Sequence, residues 1–177
     1  GNFLDGRAVV RPEGEGATVG MIDSRGALKS QGVYKALVLL GEKRAAWKRE
    51  TGWGLMDLQE KVFEVAPGQA AQDVLASVGP FGSGLAPAKD SGGKWGYLNK
   101  EARWMISPRF ERARVFRGGL AAVKEPGGKW GFLQPDGTWA IPAKFTRARS
   151  FSDGLAAVST AGEPEAGADP ETEGSWE

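Results

Sequence analysis

The 177-residue chain has no cysteine and no histidine. Without cysteine there is no disulfide framework, no thiolate nucleophile and no thiolate metal ligand. Without histidine the commonest metal ligand and general base is missing, and with it every triad that works through imidazole. No apolar run approaches the roughly 20 residues that a membrane-spanning helix needs, and no signal-peptide pattern is visible at Gly1. The chain opens inside a motif and without an initiator methionine, which fits a processed or excised piece of something longer. What is abundant is glycine, at 27 residues, and tryptophan, at 7, both above ordinary usage. Such a length suits one domain or one short repeat array, with many turns.

Repeats are visible directly. Phe81-Gly-Ser-Gly-Leu-Ala86 returns as Phe116-Arg-Gly-Gly-Leu-Ala121 and as Phe151-Ser-Asp-Gly-Leu-Ala156, each step being 35 residues. Trp95-Gly96 and Trp130-Gly131 keep that spacing, and Trp104 and Trp139 follow nine residues after them. Two weaker copies come first. Phe3-Leu-Asp-Gly-Arg-Ala8 leads to Val19-Gly20 and Leu28, and Leu40-Gly-Glu-Lys-Arg-Ala45 leads to Trp53-Gly54 and Val62. A fixed internal period is the mark of a repeat architecture. The units are 3–39, 40–80, 81–115 and 116–150, with a capping strand at 151–159, all within a repeat domain spanning 1–161. A stretch of helix-forming composition at 67–78 reads as a short helical insertion.

Each unit reads as a three-stranded meander. In the fourth copy the strands are Leu120–Lys124, Lys129–Gln134 and Thr138–Ile141, separated by Pro126-Gly127-Gly128 and Pro135-Asp136-Gly137. Proline presets φ and glycine accepts the left-handed conformation, as tight hairpin turns require. Gly54, Gly96 and Gly131 would leave room for a large ring of a neighbouring copy. Trp53, Trp95, Trp104, Trp130 and Trp139 recur at fixed positions and read as core shared between copies. Trp47 and Trp176 fall outside those positions and are expected at the surface.

The pattern Gly-Leu-Ala-x-x-Lys, then Gly-Lys-Trp-Gly-[Tyr/Phe]-Leu, a polar turn, Trp-x-Ile and a linker to the next Phe-x-x-Gly-Leu-Ala resembles the bacterial WG-containing (KWG) repeat. The likeness covers roughly residues 3–160, closely in the third and fourth copies. It implies a β-rich array of a kind often found in large, exported or multi-domain bacterial proteins, which favours the cell envelope or secretion over the cytoplasm. It implies no shared enzymatic activity, no catalytic residue and no cofactor. One departure stands out: the linker is commonly acidic in the family, but here it is Phe110-Glu-Arg-Ala-Arg-Val-Phe116 and Phe145-Thr-Arg-Ala-Arg-Ser-Phe151.

Phe, Ala and Phe at steps of three predict a 3₁₀-like turn with the arginines outside. Arg112, Arg114, Arg147 and Arg149 would then recur on successive copies, flanked by Arg109, Arg117 and Lys144. Residues 162–177 hold six acids and no Lys or Arg, and are expected to be disordered. The net charge of +1 becomes +7 without them. Because both ends carry the same strand, the fold expected is all-β, an open, solenoid-like array and not a closed ring.

A non-enzymatic protein-interaction scaffold follows first. The alternative is a polyanion- or glycan-binding module facing nucleic acid, an acidic glycan or an anionic lipid surface through the linker cations, with the acidic tail folding back to compete. Enzyme chemistry ranks last, since Asp57, Asp90, Asp136 and Asp153 occupy turn positions where Asp ordinarily holds the backbone. No metal site and no transmembrane segment are expected.

Overall fold

Short apolar runs alternating in and out, cut at close intervals by turn residues, can satisfy their backbone groups only by pairing with neighbours. In the computed structural model, which describes residues 3–11, 19–29, 34–50, 52–63 and 75–160, every strand pairing is antiparallel. The first sheet holds β1 (Arg7–Val10) and β2 (Gly20–Asp23), extended by a bridge from Ile22 to Leu28. The second is β3 (Ala36–Gly41), β4 (Arg44–Arg49), β5 (Gly52–Asp57) and β6 (Val62–Phe63). The third is β7 (Ser77–Val78), β8 (Ala86–Lys89), β9 (Trp95–Leu98) and β10 (Trp104–Phe110). The fourth is β11 (Arg112–Ala113), β12 (Ala121–Lys124), β13 (Trp130–Leu133) and β14 (Trp139–Phe145). The fifth holds β15 (Arg147–Ala148) and β16 (Val158–Ser159).

The complete sheets are therefore four-stranded meanders, not three-stranded ones. The extra strand is the linker. Its Arg112 and Ala113 pair with Lys124 and Val123, so the segment expected to coil as a 3₁₀ turn is extended and opens the next sheet. Residues 75–78 of the expected helical insertion are extended too: Leu75 exchanges backbone hydrogen bonds with Trp53 at 2.9 and 3.2 Å, and β7 follows. Residues 67–74, the acidic tail and Trp176 lie outside the described residues. Among the described residues there is no helix, and the sheets stack in chain order without closing into a barrel.

Four apolar clusters lie between successive sheets. Met21 and Leu37 pack with Ala45 and Met56, and Leu55 with Val78, Ala88 and Leu98. Tyr97, Phe110 and Phe116 pack with Val123 and Leu133, and Trp130 and Phe132 with Ala148 and Phe151. Each fully buried Phe contributes about 2–3 kcal/mol of burial. Along β12, Ala121 and Val123 turn back to the third sheet while Ala122 faces forward to the fifth, as a period of two demands.

Strand four of the third and fourth sheets breaks that period. Trp104 and Ile106 would share a face in a regular strand, yet Trp104 packs back on the second sheet and Ile106 forward on the fourth. The register shift between them, a bulge, produces the reversal. A second register shift, between Ile106 and Phe110 in the third sheet and between Ile141 and Phe145 in the fourth, explains the glycines after Trp95 and Trp130. A Cβ on Gly96 would sit 2.4 Å from the Ile106 carbonyl oxygen and 2.8 Å from the Pro108 nitrogen. On Gly131 it would meet Ile141 and Ala143 backbone at 2.7 Å and the Trp139 ring at 2.6 Å. The room is thus taken by the next strand of the same repeat, and not by a ring from a neighbouring copy. At Gly54 the occupant is Trp47, its cross-strand partner. Trp47 is accordingly half-buried over that glycine and not a surface residue.

Candidate interaction surface

The linker positions the groups that bear on function. Phe110, Ala113 and Phe116 are buried, and Arg114 follows them in at 3% exposure. Its Nε donates to the Ala148 carbonyl at 3.0 Å, and its guanidinium lies 5.1 Å from the centroid of the Trp130 ring. The Arg114 carbonyl accepts from the Tyr97 hydroxyl at 2.7 Å. Burial pushes the Tyr97 phenol well above its usual range. Arg114 was expected to face an outside anion; instead it ties the third, fourth and fifth sheets together. A buried guanidinium survives because its donors reach carbonyls and its face reaches an aromatic ring.

The remaining cations of the set divide by exposure. Arg109, Arg117, Lys144, Arg147 and Arg149 are exposed, and Arg112 is half-buried. Arg109 and Lys144 occupy equivalent positions and lie over the neighbouring Phe110 and Phe145 rings, at 4.9 and 5.3 Å. Arg149 is the repeat equivalent of Arg114. It stays outside because the fifth sheet has no following strand for it to reach among the described residues.

A second feature escaped the sequence reading. The turns between first and second strands place both central residues in the left-handed region, Asp5 and Gly6 at φ 51° and 74°, Glu42 and Lys43 at 51° and 60°. Asp5 accepts from the Lys43 amide at 2.8 Å, and Glu42 accepts from the Gly84 amide at 3.1 Å. Each turn thus hooks the amide of the next with a carboxylate. Lys100 also bonds Glu42, at 2.6 Å, and this contact first, then the Gly84 amide, lowers the Glu42 pKa. The signal was present as an acid at the third position of three of the five motifs, Asp5, Glu42 and Asp153. Arg44 adds another crossing, its Nε donating to the Lys100 carbonyl at 2.8 Å.

Four aspartates and one further glutamate hold backbone. Asp23 accepts from the Arg25 and Ala27 amides, Asp57 from Gln59 and Lys61, Asp90 from Lys94, and Asp136 from Thr138. Glu111 takes the Lys124 ammonium and the Gly127 amide, which lower its pKa in that order. Among the described residues no group of three or more acids is placed to hold a metal ion. Trp53, Trp95, Trp104 and Trp139 are partly buried against the inter-sheet clusters and Trp130 is buried.

With this geometry in view, the comparisons with known proteins are specific about the repeat. Residues 95–130 and 130–162 each match the model of the WG containing repeat, as two tandem repeats. No curated protein sequence matches the chain. A crystal structure of the computationally designed Ika8 protein is similar in fold, with a TM-score of 0.51 at 11% identity, over 89% of this chain and 53% of that one. The chain therefore spans about half the length of that designed protein.

Proposed function

We propose that the chain is a non-catalytic repeat module that presents its sheet stack to a protein partner. The observation that carries this reading is how the recurring residues are used. Recurring aromatic positions lie in the clusters between sheets, and the turn acids bond backbone amides. Chemistry would need an acid and a base free to meet a substrate, and these carboxylates are engaged in holding turns.

A photo-crosslinking residue placed at exposed Arg109 or Arg147 in the source cells tests this, with buried Ala113 as the control position. A defined protein adduct from the exposed sites alone is expected. No adduct at either site would remove the reading.

A second reading is supported by the five exposed cations Arg109, Arg117, Lys144, Arg147 and Arg149. They would neutralise phosphate or carboxylate groups of an extended polyanion. Binding to heparin and to single-stranded DNA, measured against salt, tests it. A steep fall of affinity with salt supports the reading, and a flat response overturns it.

A further inference from the structure

Among the described residues, the first and fifth sheets present unlike outer faces. From the third sheet onward the motif phenylalanine, and in the third and fourth sheets the fourth-strand tryptophan, face back onto the preceding sheet. Phe116 meets Tyr97 at 4.8 Å, Phe151 meets Phe132 at 5.1 Å, and Trp139 meets Phe110 at 6.2 Å. On the first sheet the equivalent positions are Phe3 and Leu28, which are 52% and 61% exposed. The motif leucine faces forward: Leu85 is 6% exposed and packs with Phe116 of the next repeat. Its equivalent in the fifth sheet, Leu155, is 78% exposed.

The turns carry the same complementarity. The third-position carboxylates Asp5 and Glu42 each accept from the fourth-position amide of the following turn, at 2.8 and 3.1 Å. In the fifth sheet that carboxylate is Asp153, exposed and held in the same left-handed turn, at φ 51°. In the first sheet the fourth-position amide is that of Gly6. Among the described residues the fifth sheet therefore presents a hook and a forward apolar face, and the first sheet the matching amide and a back apolar face.

We propose that the chain self-associates head to tail, the back face of the first sheet of one copy (Phe3, Leu28) packing on the forward face of the fifth sheet of another (Leu155), with Asp153 accepting from the partner's Gly6 amide. This interface continues the one that already joins successive sheets within the chain. It is heterologous, with unlike surfaces meeting, so it builds chains or rings and not only symmetric pairs.

Sedimentation velocity over a rising concentration series reads the association, with two charge variants, Leu28→Asp and Leu155→Asp. Both positions are largely exposed, so each variant should keep the parent's thermal unfolding midpoint. The expected result is oligomer for the parent chain, monomer for either variant alone, and a dimer with no larger species in their equimolar mixture. That mixture retains one intact back face and one intact forward face. Asp153→Ala should weaken association by about tenfold, the effect of losing one charge-assisted hydrogen bond. A parent chain that stays monomeric throughout overturns the proposal. So does association that is lost in Leu28→Asp and kept in Leu155→Asp, which would mean symmetric pairing through the first sheet.

Discussion

Arg114 Nε donates to the Ala148 carbonyl at 3.0 Å, crossing from the opening strand of one sheet to that of the next. Arg149 stands one repeat later in the same Arg-Ala-Arg sequence and is exposed. Two identical local sequences therefore differ in role because, among the described residues, only one has a sheet in front of it.

Arg114→Ala should lower stability to urea by about 2–4 kcal/mol, since it leaves the Ala148 carbonyl and a buried volume unsatisfied. Arg114→Lys should recover little, because one ammonium cannot both hold that carbonyl and lie flat on Trp130. Arg149→Ala should change stability by less than about 0.5 kcal/mol. Equal effects at the two positions would refute the clasp.

Tyr97→Phe keeps the ring contact with Phe116 but removes the buried hydroxyl donor to Arg114, for an expected loss of about 1–2 kcal/mol. Burial, the leading cause in each case, raises the pKa of both Tyr34 and Tyr97 from the usual 10.0. The unfolded chain therefore gives up phenolic protons first as pH climbs past 10.0. Stability present below that pH should fall above it. The fall should be shallower in Tyr97→Phe, and phenolate absorbance rising in the native protein near pH 10.0 would contradict this.

Gly96→Ala places a Cβ against fixed backbone at 2.4 Å and should cost about 3 kcal/mol or more. Gly54→Ala meets the Trp47 ring, a side chain that can move, and should cost less. Pairing Gly54→Ala with Trp47→Ala should remove most of the penalty specific to Gly54. The same rescue is not expected at Gly96, and double-mutant unfolding curves separate the two cases.

Asp23 is held to a pKa of about 2 from the usual 3.8, chiefly by the Ala27 amide, with the Arg25 amide and Lys29 adding to it. The unfolded chain takes up the proton first as pH falls below 3.8, so the stability Asp23 contributes above that pH is lost between 3.8 and about 2. Carboxyl NMR should show its titration midpoint near the lower figure, and a midpoint near 3.8 would mean that the turn is not formed as described.

Much of the scaffold was legible in the residues. The second, third and fourth strands follow from the Gly-Leu-Ala, Trp-Gly and Trp-x-Ile elements, and Asp57, Asp90 and Asp136 do hold turns. The linker was not legible. Phe110, Ala113 and Phe116 at steps of three suit a tight turn, but the edge of β12 offers backbone partners that a local turn cannot match. Nor was the burial of Arg114, because charge alone places an arginine in water and only the tertiary carbonyl and ring bring it in. Sequence units and sheets are offset for the same reason: the second to fifth sheets each begin ahead of the repeat motif.

The strand assignment of the linker is the point on which the stack depends, and amide hydrogen exchange tests it most directly. The Glu111 amide donates to Lys124 and the Arg114 amide to Ala122, both at 2.9 Å across sheet partners. Both amides should be protected to nearly the level of β13, and that protection should drop when β12 is destabilised by Val123→Ala. Rapid exchange at Glu111 and Arg114 in the folded chain, or protection insensitive to Val123→Ala, would contradict a linker that is the first strand of the fourth sheet.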